Sequence, residues 1–281
     1  GIDPITGELY GRLILAGGGV FSISNLGAYD RNIILRGGSL GVWGSNSTGT
    51  GAIVIESGGY IHYWNANSKT RVPNELKLAS NVSSNNVYYT YAGDVDLSYA
   101  RPTQLNPSTS PFTGYRTITV TSNSLVAGQR ASVTFEKDFN FIGIAGLAKS
   151  GVGSMEILGQ NSTFSGGLMV SGGKLYTTLR SDMVLGAASA NQNYLGTGDI
   201  TVNSSQLLIQ TNGYATNFTN KEFSIAGTGS IEFYGGGGVT LSSGILSGGT
   251  SATKGTIAID GDVTFNGISI TNTPNLIINP D

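Results

Sequence analysis

The sequence predicts an all-β protein: a three-sided parallel β-helix, or solenoid, with coils of about 20–25 residues. Three observations lead to this prediction: abundant glycine, almost no helical periodicity, and short apolar runs that recur at a regular spacing. The chain has 281 residues, of which 43 are glycine and only 7 are proline, so the composition is neither collagen-like nor typical of a proline-rich linker. The recurring apolar runs can bury surface, which distinguishes this chain from disordered sequences.

Strands are predicted wherever about five apolar and β-branched residues stand between Gly, Ser, Asn or Asp. Apolar residues at helical spacing, uninterrupted by glycine, are not found over any long segment. The clearest strand candidates are Arg12–Ala16, Asn32–Arg36, Ala52–Glu56, Asp199–Asn203, Ser230–Tyr234 and Thr256–Asp260. We expect tight turns between them, in which glycine reaches positive φ without steric cost.

The strands recur in pairs around a short glycine turn. Ile33–Trp43 resembles Ile53–Trp64 at an offset of about 20 residues, and Ile200–Gln210 resembles Phe223–Tyr234 at an offset of about 23. A period of this length fits one coil of three strands and three turns. A β-sandwich or jelly roll is the alternative, because short strands with frequent turns also fit it. We predict a single domain over residues 1–281, with an irregular insertion at residues 80–115.

Composition narrows the classes of function. Lys and Arg number 15 and Asp and Glu 17, for a net charge of −2, so no basic surface for nucleic acid is expected. The absence of cysteine removes disulfides and thiolate metal sites, and one histidine is too few for a multi-histidine metal site. No apolar run approaches the roughly 20 residues of a membrane-spanning helix. We therefore predict no cofactor, no metal, no nucleic-acid partner and no membrane span in this chain.

Two groups of residues are candidates for binding a glycan or a protein partner. Asp94 and Asp96 stand two apart on a predicted strand and should face the same side. Nearby aromatic rings could complete a sugar-binding groove, and they belong to Tyr88, Tyr89, Tyr91 and Tyr99. The second group is Tyr60, His62 and Trp64, which alternation would point one way. The other interpretation of both groups is a solvated outer face or packing between coils.

One stretch carries a family resemblance. Residues 147–175 read LAKSGVGSMEILGQNSTFSGGLMVSGGKL, and this run resembles the passenger-associated transport repeat, also called the autotransporter-associated β-strand repeat. The matching positions are Leu147, Lys149, Gly151, Gly153, Ile157, Leu158, Gly159, Asn161, Thr163, Phe164, Ser165, Gly166, Gly167, Val170, Gly173 and Leu175. Leu195–Ile209 looks like the continuation of the repeat. The match departs from the family at Asn-Ser-Thr-Phe, one residue longer than usual, and at Leu168, where Thr is usual.

The resemblance covers residues 147–209 and implies a right-handed parallel β-helix exposed outside a Gram-negative-type cell, as a stalk or passenger. It assigns no ligand. We accordingly predict an extracellular, non-enzymatic structural or adhesive protein of the bacterial surface, a solenoid subunit of a stalk, filament, sheath or surface layer. The alternatives are a glycan-binding adhesin and a polysaccharide lyase or hydrolase, although charged side chains are sparse for an enzyme. The predicted partner is a second copy of the chain, joined end to end through Leu276, Ile277 and Ile278.

Overall fold

The computed structural model describes residues 11–27, 29–44, 48–57, 59–63, 70–85, 89–99, 113–121, 128, 130–136, 139–159, 162–179, 193–249 and 254–279. Within these ranges the chain forms strands and one short 3-10 helix, Asn193–Leu195. Every strand pair in this part of the chain is parallel, and the pairs stack into a solenoid. The predicted all-β solenoid is confirmed. The sandwich alternative is wrong, because sandwiches are built from antiparallel strands.

The strands are, in chain order, β1 (Leu13–Leu15), β2 (Val20–Ile23), β3 (Ile33–Leu35), β4 (Ser39–Val42), β5 (Ile53–Ile55), β6 (Gly59–Tyr63), β7 (Thr70–Val72), β8 (Leu76–Leu78), β9 (Val82–Asn85), β10 (Tyr89–Tyr91), β11 (Val95–Asp96), β12 (Tyr115–Val120), β13 (Val133–Phe135), β14 (Phe141–Ile142), β15 (Gly146–Ser150), β16 (Ser154–Ile157), β17 (Leu168–Val170), β18 (Lys174–Thr178), β19 (Ile200–Asn203), β20 (Gln206–Gln210), β21 (Thr216–Thr219), β22 (Glu222–Ala226), β23 (Ser230–Tyr234), β24 (Val239–Ser242), β25 (Ile245–Ser247), β26 (Thr256–Asp260), β27 (Val263–Asn266), β28 (Ser269–Thr271) and β29 (Asn275–Asn279).

The strands follow one another through three faces in the order 1, 2, 3, although some coils have no described strand on one of them, such as the first two coils on face 3. Face 1 is the sheet β1-β3-β5-β8-β11-β14, face 2 is β2-β4-β6-β9-β12-β15-β17-β19-β22-β25-β28, and face 3 is β7-β10-β13-β16-β18-β20-β23-β26-β29. A further sheet, β21-β24-β27, takes the place of face 1 in the chain order of the later coils. Face 2 is thus the sheet that runs from the first described coil to the last.

The register of the strands confirms the predicted repeats. Ile33 pairs with Ile53, 20 residues later, and Ile200 pairs with Phe223, 23 residues later. The stretch that resembles the transport repeat is likewise a building unit: its first strand pairs with its third, with Leu147 opposite Leu168. Each coil therefore lays its apolar residues on the equivalent residues of the coil before, because the residue spacing matches the perimeter of one turn.

The core is a set of interior columns, one residue per coil. Alternate residues of a strand point inward, as the buried and half-buried alternation along β20 and β26 shows. One such column on face 2 consists of Leu147, Leu168, Ile200, Phe223 and Leu246, all buried. Burying each of these side chains contributes about 1.5–3 kcal/mol. Stability is therefore distributed along the rod, as in other repeat structures.

Close stacking of the turns explains why glycine is needed at particular positions. At Gly159 an added Cβ would overlap the carbonyl oxygen of Phe139 in the preceding coil. At Gly38 the backbone has a φ of 69° and the carbonyls of Gly17 and Gly19 crowd the Cβ position. Neighbouring strands in a sheet lie only about 4.8 Å apart, so a turn that stacks directly on another has little room for a side chain.

The predicted insertion at residues 80–115 begins too early. Residues 82–96 contain β9, β10 and β11, which pair within faces 2, 3 and 1 in the regular order. They fit the ladder because Val82, Tyr91 and Val95 supply buried side chains at inward positions. Only the segment between the end of this coil and β12 stays a candidate insertion, and residues 100–112 of it lie outside the described part of the chain.

Candidate functional site

The structure distributes the predicted binding residues over three faces. Tyr60 and His62 lie on β6 of face 2, and Tyr89 is on β10 of face 3. Asp96 is on β11 of face 1, and Asp94 stands two residues earlier, just before that strand. Residues on different faces point in different directions, so Tyr60 and His62 do not form one groove with Asp96. Tyr88 and Trp64 lie outside the described residues.

Tyr91 belongs to the core, so its assignment to a surface groove is wrong. Its side chain is 4% exposed and stacks on Phe135 with ring centroids 5.0 Å apart. Phe139 and Phe141 continue this aromatic cluster, each with its ring centroid 4.8 Å from that of Phe135. Burial raises the pKa of the Tyr91 hydroxyl well above its usual value. Tyr91 stands at an inward position of β10, where its apolar ring packs against the other rings of the aromatic column.

The two aspartates are engaged by their own surroundings. Asp94 accepts hydrogen bonds from the backbone N–H of Asn140 at 3.0 Å and from its side-chain amide at 3.4 Å. Asp96 accepts one from the backbone N–H of Ser98 at 2.9 Å. These bonds join the end of one coil to the next and fix the turn after β11. Tyr99 is half-buried, with the Lys77 ammonium 5.9 Å from its ring centroid.

His62 is half-buried on face 2, and Tyr60 beside it on β6 is 42% exposed. Burial lowers the pKa of His62 from its ordinary value of 6.5. Below that pH the unfolded chain takes up a proton more readily than the folded chain. The free energy of unfolding should therefore fall as the pH drops through 6.5 towards the folded pKa.

We expect this acid sensitivity to be smaller in His62→Gln. The comparison is denaturant unfolding of both proteins at pH 7.5 and pH 5.5, values on either side of about 6.5. For each protein, the fall in the free energy of unfolding from pH 7.5 to pH 5.5 is its pH slope. Because His62 is the only histidine, the difference between the two pH slopes reports on this one group. Identical slopes in the two proteins would contradict the assignment.

The predicted assembly residues form part of an apolar end surface. Leu276, Ile277 and Ile278 on β29 are 40%, 46% and 43% exposed. Leu276 and Ile278 continue interior columns through Ile257 and Ile259, which are 1% and 0% exposed one coil earlier. Ile277, in contrast, follows Ala258 on the outer side of face 3. Two of the three residues therefore belong to the open end of the core.

Three inward cations were not predicted as structural features. The Lys149 ammonium donates to the carbonyls of Gly151 and Gly172, each at 2.7 Å, and of Ser150 at 3.1 Å. Lys221 donates to Gly196 and Gly198, and Arg116 donates to Leu97 and Tyr99. Burial lowers the pKa of Lys149 to about 7 and that of Lys221 to about 8, with Asp199 opposing the second shift. Each cation holds turn carbonyls that point into the interior.

A polar and aromatic patch on the outer side of face 3 was also missed. Its first row, across four successive strands, is Glu156, Tyr176, Leu208 and Glu232. Its second row is Thr178, Gln210 and Tyr234. We call these seven residues the face 3 patch. The sequence contains one indication of it, since Gln210 and Tyr234 are the last residues of the two matching segments. The patch itself can be recognised only by comparing the outward positions of successive strands.

Arg130 fastens the second row of the face 3 patch. Its guanidinium donates to the hydroxyls of Thr178 at 3.1 Å and Tyr234 at 3.0 Å, and to the side-chain carbonyl of Gln210. It also lies 5.9 Å from the centroid of the Tyr234 ring. One side chain thus bridges three neighbouring strands, which makes this part of the surface rigid.

The described residues contain no group of three or more His, Cys, Asp or Glu side chains arranged to hold a metal ion. No helix in the same residues is long and apolar enough to cross a membrane. Comparison of the chain with protein-family models, with curated proteins and with solved structures found no match in any of the three.

Proposed function

We propose that the chain is a non-enzymatic structural protein, a β-solenoid rod that lengthens by end-to-end association with further copies of itself. The observation that carries the proposal is the open end of the core. Ile270 is 51% exposed on β28 of face 2, although it continues a column through Leu246, which is 1% exposed. Phe265 on β27 is likewise 37% exposed, although it continues a column through Leu241, which is buried.

The opposite end of the described solenoid offers a matching surface. On β2 of the same face, Phe21 is 40% exposed although its partner Leu40 is fully buried. Among the described residues, no strand pairs beyond β2 or beyond β28 on face 2, and each of these two strands carries an exposed apolar residue at an inward position. Because all strands are parallel, β2 of a second copy can continue the sheet after β28 in the same direction. Such a head-to-tail contact differs at its two sides, so it leads to open filaments rather than closed dimers.

The proposed location is the outer surface of a bacterial cell, and the proposed role is that of a stalk, filament, sheath or layer. This part of the proposal depends on the resemblance of residues 147–209 to the passenger-associated transport repeat. The solenoid suits a mechanical role, because backbone hydrogen bonds along the rod axis join every coil to its neighbours. The hydrogen bonds of Asp94 and Asp96 within the turns support a structural, non-enzymatic role for these two carboxylates.

Sedimentation velocity over a range of protein concentrations tests the proposal. We expect a series of species that grows with concentration and has the frictional behaviour of lengthening rods. Moderate salt should not dissolve them, since apolar contacts and backbone hydrogen bonds hold the ends together. A single monomeric species at every concentration would contradict end-to-end association.

A further inference from the structure

The face 3 patch combines carboxylates with aromatic and apolar side chains. Only 11% of the residues are charged, yet two carboxylates, Glu156 and Glu232, stand in one row with Tyr176 and Leu208 between them. All four side chains are half-buried, so each keeps an exposed part while its orientation is restricted by neighbours. The row runs along the solenoid axis because its members come from successive strands.

The two rows of the patch are close enough to act on one ligand, because their members stand two residues apart on the same strands and so face the same side: Tyr176 with Thr178, Leu208 with Gln210, and Glu232 with Tyr234. Burial raises the pKa of Tyr234, and the nearby Tyr176, Glu156 and Glu232 raise it further, whereas Arg130 lowers it. The carboxylates are themselves held: Glu156 accepts from the hydroxyl of Thr134 at 3.4 Å, and Glu232 accepts from that of Ser230 at 3.1 Å.

The chemistry of the patch indicates the class of its ligand. Tyrosine rings and Leu208 offer apolar surface for the C–H faces of a flat ring, and carboxylates accept hydrogen bonds from hydroxyl groups. The carboxylates disfavour a polyanion, and Arg130, the cation beside the second row, already donates to three acceptors. A ligand with ring C–H faces, many hydroxyls and no negative charge satisfies these conditions.

We propose that the face 3 patch binds a neutral, β-linked oligosaccharide, lying along the solenoid axis with one sugar stacked on Tyr176 and its hydroxyls donating to Glu156 and Glu232. Strands repeat at about 4.8 Å along this axis, close to the advance of an extended glycan per sugar. Arg130 is a positioning residue, since it holds Tyr234 and Gln210 in place. The proposal is independent of end-to-end association, because the patch lies on the side of the rod.

The experiment is isothermal titration of the full chain with neutral β-linked hexasaccharides of glucose, mannose, xylose and N-acetylglucosamine. We expect at least one to bind. Tyr176→Ala should weaken that binding at least about tenfold, by removing the stacking surface, and the isosteric Glu156→Gln at least about threefold. Tyr115→Ala is the matched control, because Tyr115 is an exposed tyrosine on β12 of face 2; it should bind within about twofold of the parent chain. Circular dichroism confirms that each variant keeps the β fold.

Hexalysine, measured at low and high salt, is the competing probe. A cationic peptide would be attracted to the same carboxylates, and its binding would weaken steeply with salt, whereas binding of a neutral sugar would change little. The proposal is overturned if no hexasaccharide binds, if Tyr176→Ala and Glu156→Gln bind like the parent chain, or if hexalysine alone binds. Sedimentation behaviour is unaffected by these outcomes, so a failure here is distinct from a failure of end-to-end association.

Discussion

Replacing Ile278 by aspartate is expected to abolish end-to-end association. Ile278 is an inward residue of the last described coil, 43% exposed, above the fully buried Ile259. Stacking of another coil would bury the new carboxylate without a partner, which costs several kcal/mol and weakens association at least about a hundredfold. The folded monomer should tolerate the change, because the site stays partly in water when nothing covers it. Sedimentation velocity gives the readout.

Ile277→Asp is the matched control for this prediction. It introduces the same charge one residue away on the same strand, but on the outer side of face 3, following Ala258. Association should therefore be nearly unchanged. Equal loss of association in both variants would indicate general charge repulsion, and no loss in Ile278→Asp would show that this end of the core is not the contact.

Replacing Phe135 by alanine is expected to give the largest loss of stability. The side chain is fully buried, and its ring contacts those of Tyr91, Phe139 and Phe141 with centroids 4.8–5.0 Å apart. Truncation removes the apolar contact area and leaves a cavity in the stacked coils, at a cost of about 3–5 kcal/mol. Denaturant unfolding followed by circular dichroism measures the change in the free energy of unfolding.

Phe265→Ala is the corresponding control at the open end. Its ring is 37% exposed, so truncation removes less buried area and should cost about 1–2 kcal/mol. A similar cost for both phenylalanines would mean that the aromatic cluster around Phe135 is not close-packed. A large loss of stability in Phe135→Ala alone would show that this aromatic cluster is a central part of the core.

The fold could be predicted from the sequence because each coil repeats the same local pattern. Apolar alternation, glycine turns and a period in the low twenties all depend on residues near one another in the chain. The pairing of Ile33 with Ile53 and of Ile200 with Phe223 follows directly from that period. The start of the insertion was misplaced because Ser and Asn dilute the apolar pattern around β9, although Val82 keeps its inward place.

The sites were harder to predict, because residue type alone does not show which side of a strand faces inward. The prediction put Tyr91 in a surface groove because its aromatic ring is near Asp94 and Asp96 in the chain, yet the ring fills the column beside Phe135. Lys149 can point inward because its ammonium donates to turn carbonyls, and the pattern of charged residues along the sequence does not indicate this. The face 3 patch joins residues from Glu156 to Glu232, which only the stacking of coils brings together.

Electron microscopy of the concentrated full chain tests end-to-end association, the central claim, most directly. We predict unbranched filaments one solenoid wide, with strands perpendicular to the filament axis and an axial repeat of about 4.8 Å in diffraction from aligned material. Ile278→Asp should give short, separate rods under the same conditions. Separate rods from the unaltered chain at every concentration would contradict the claim.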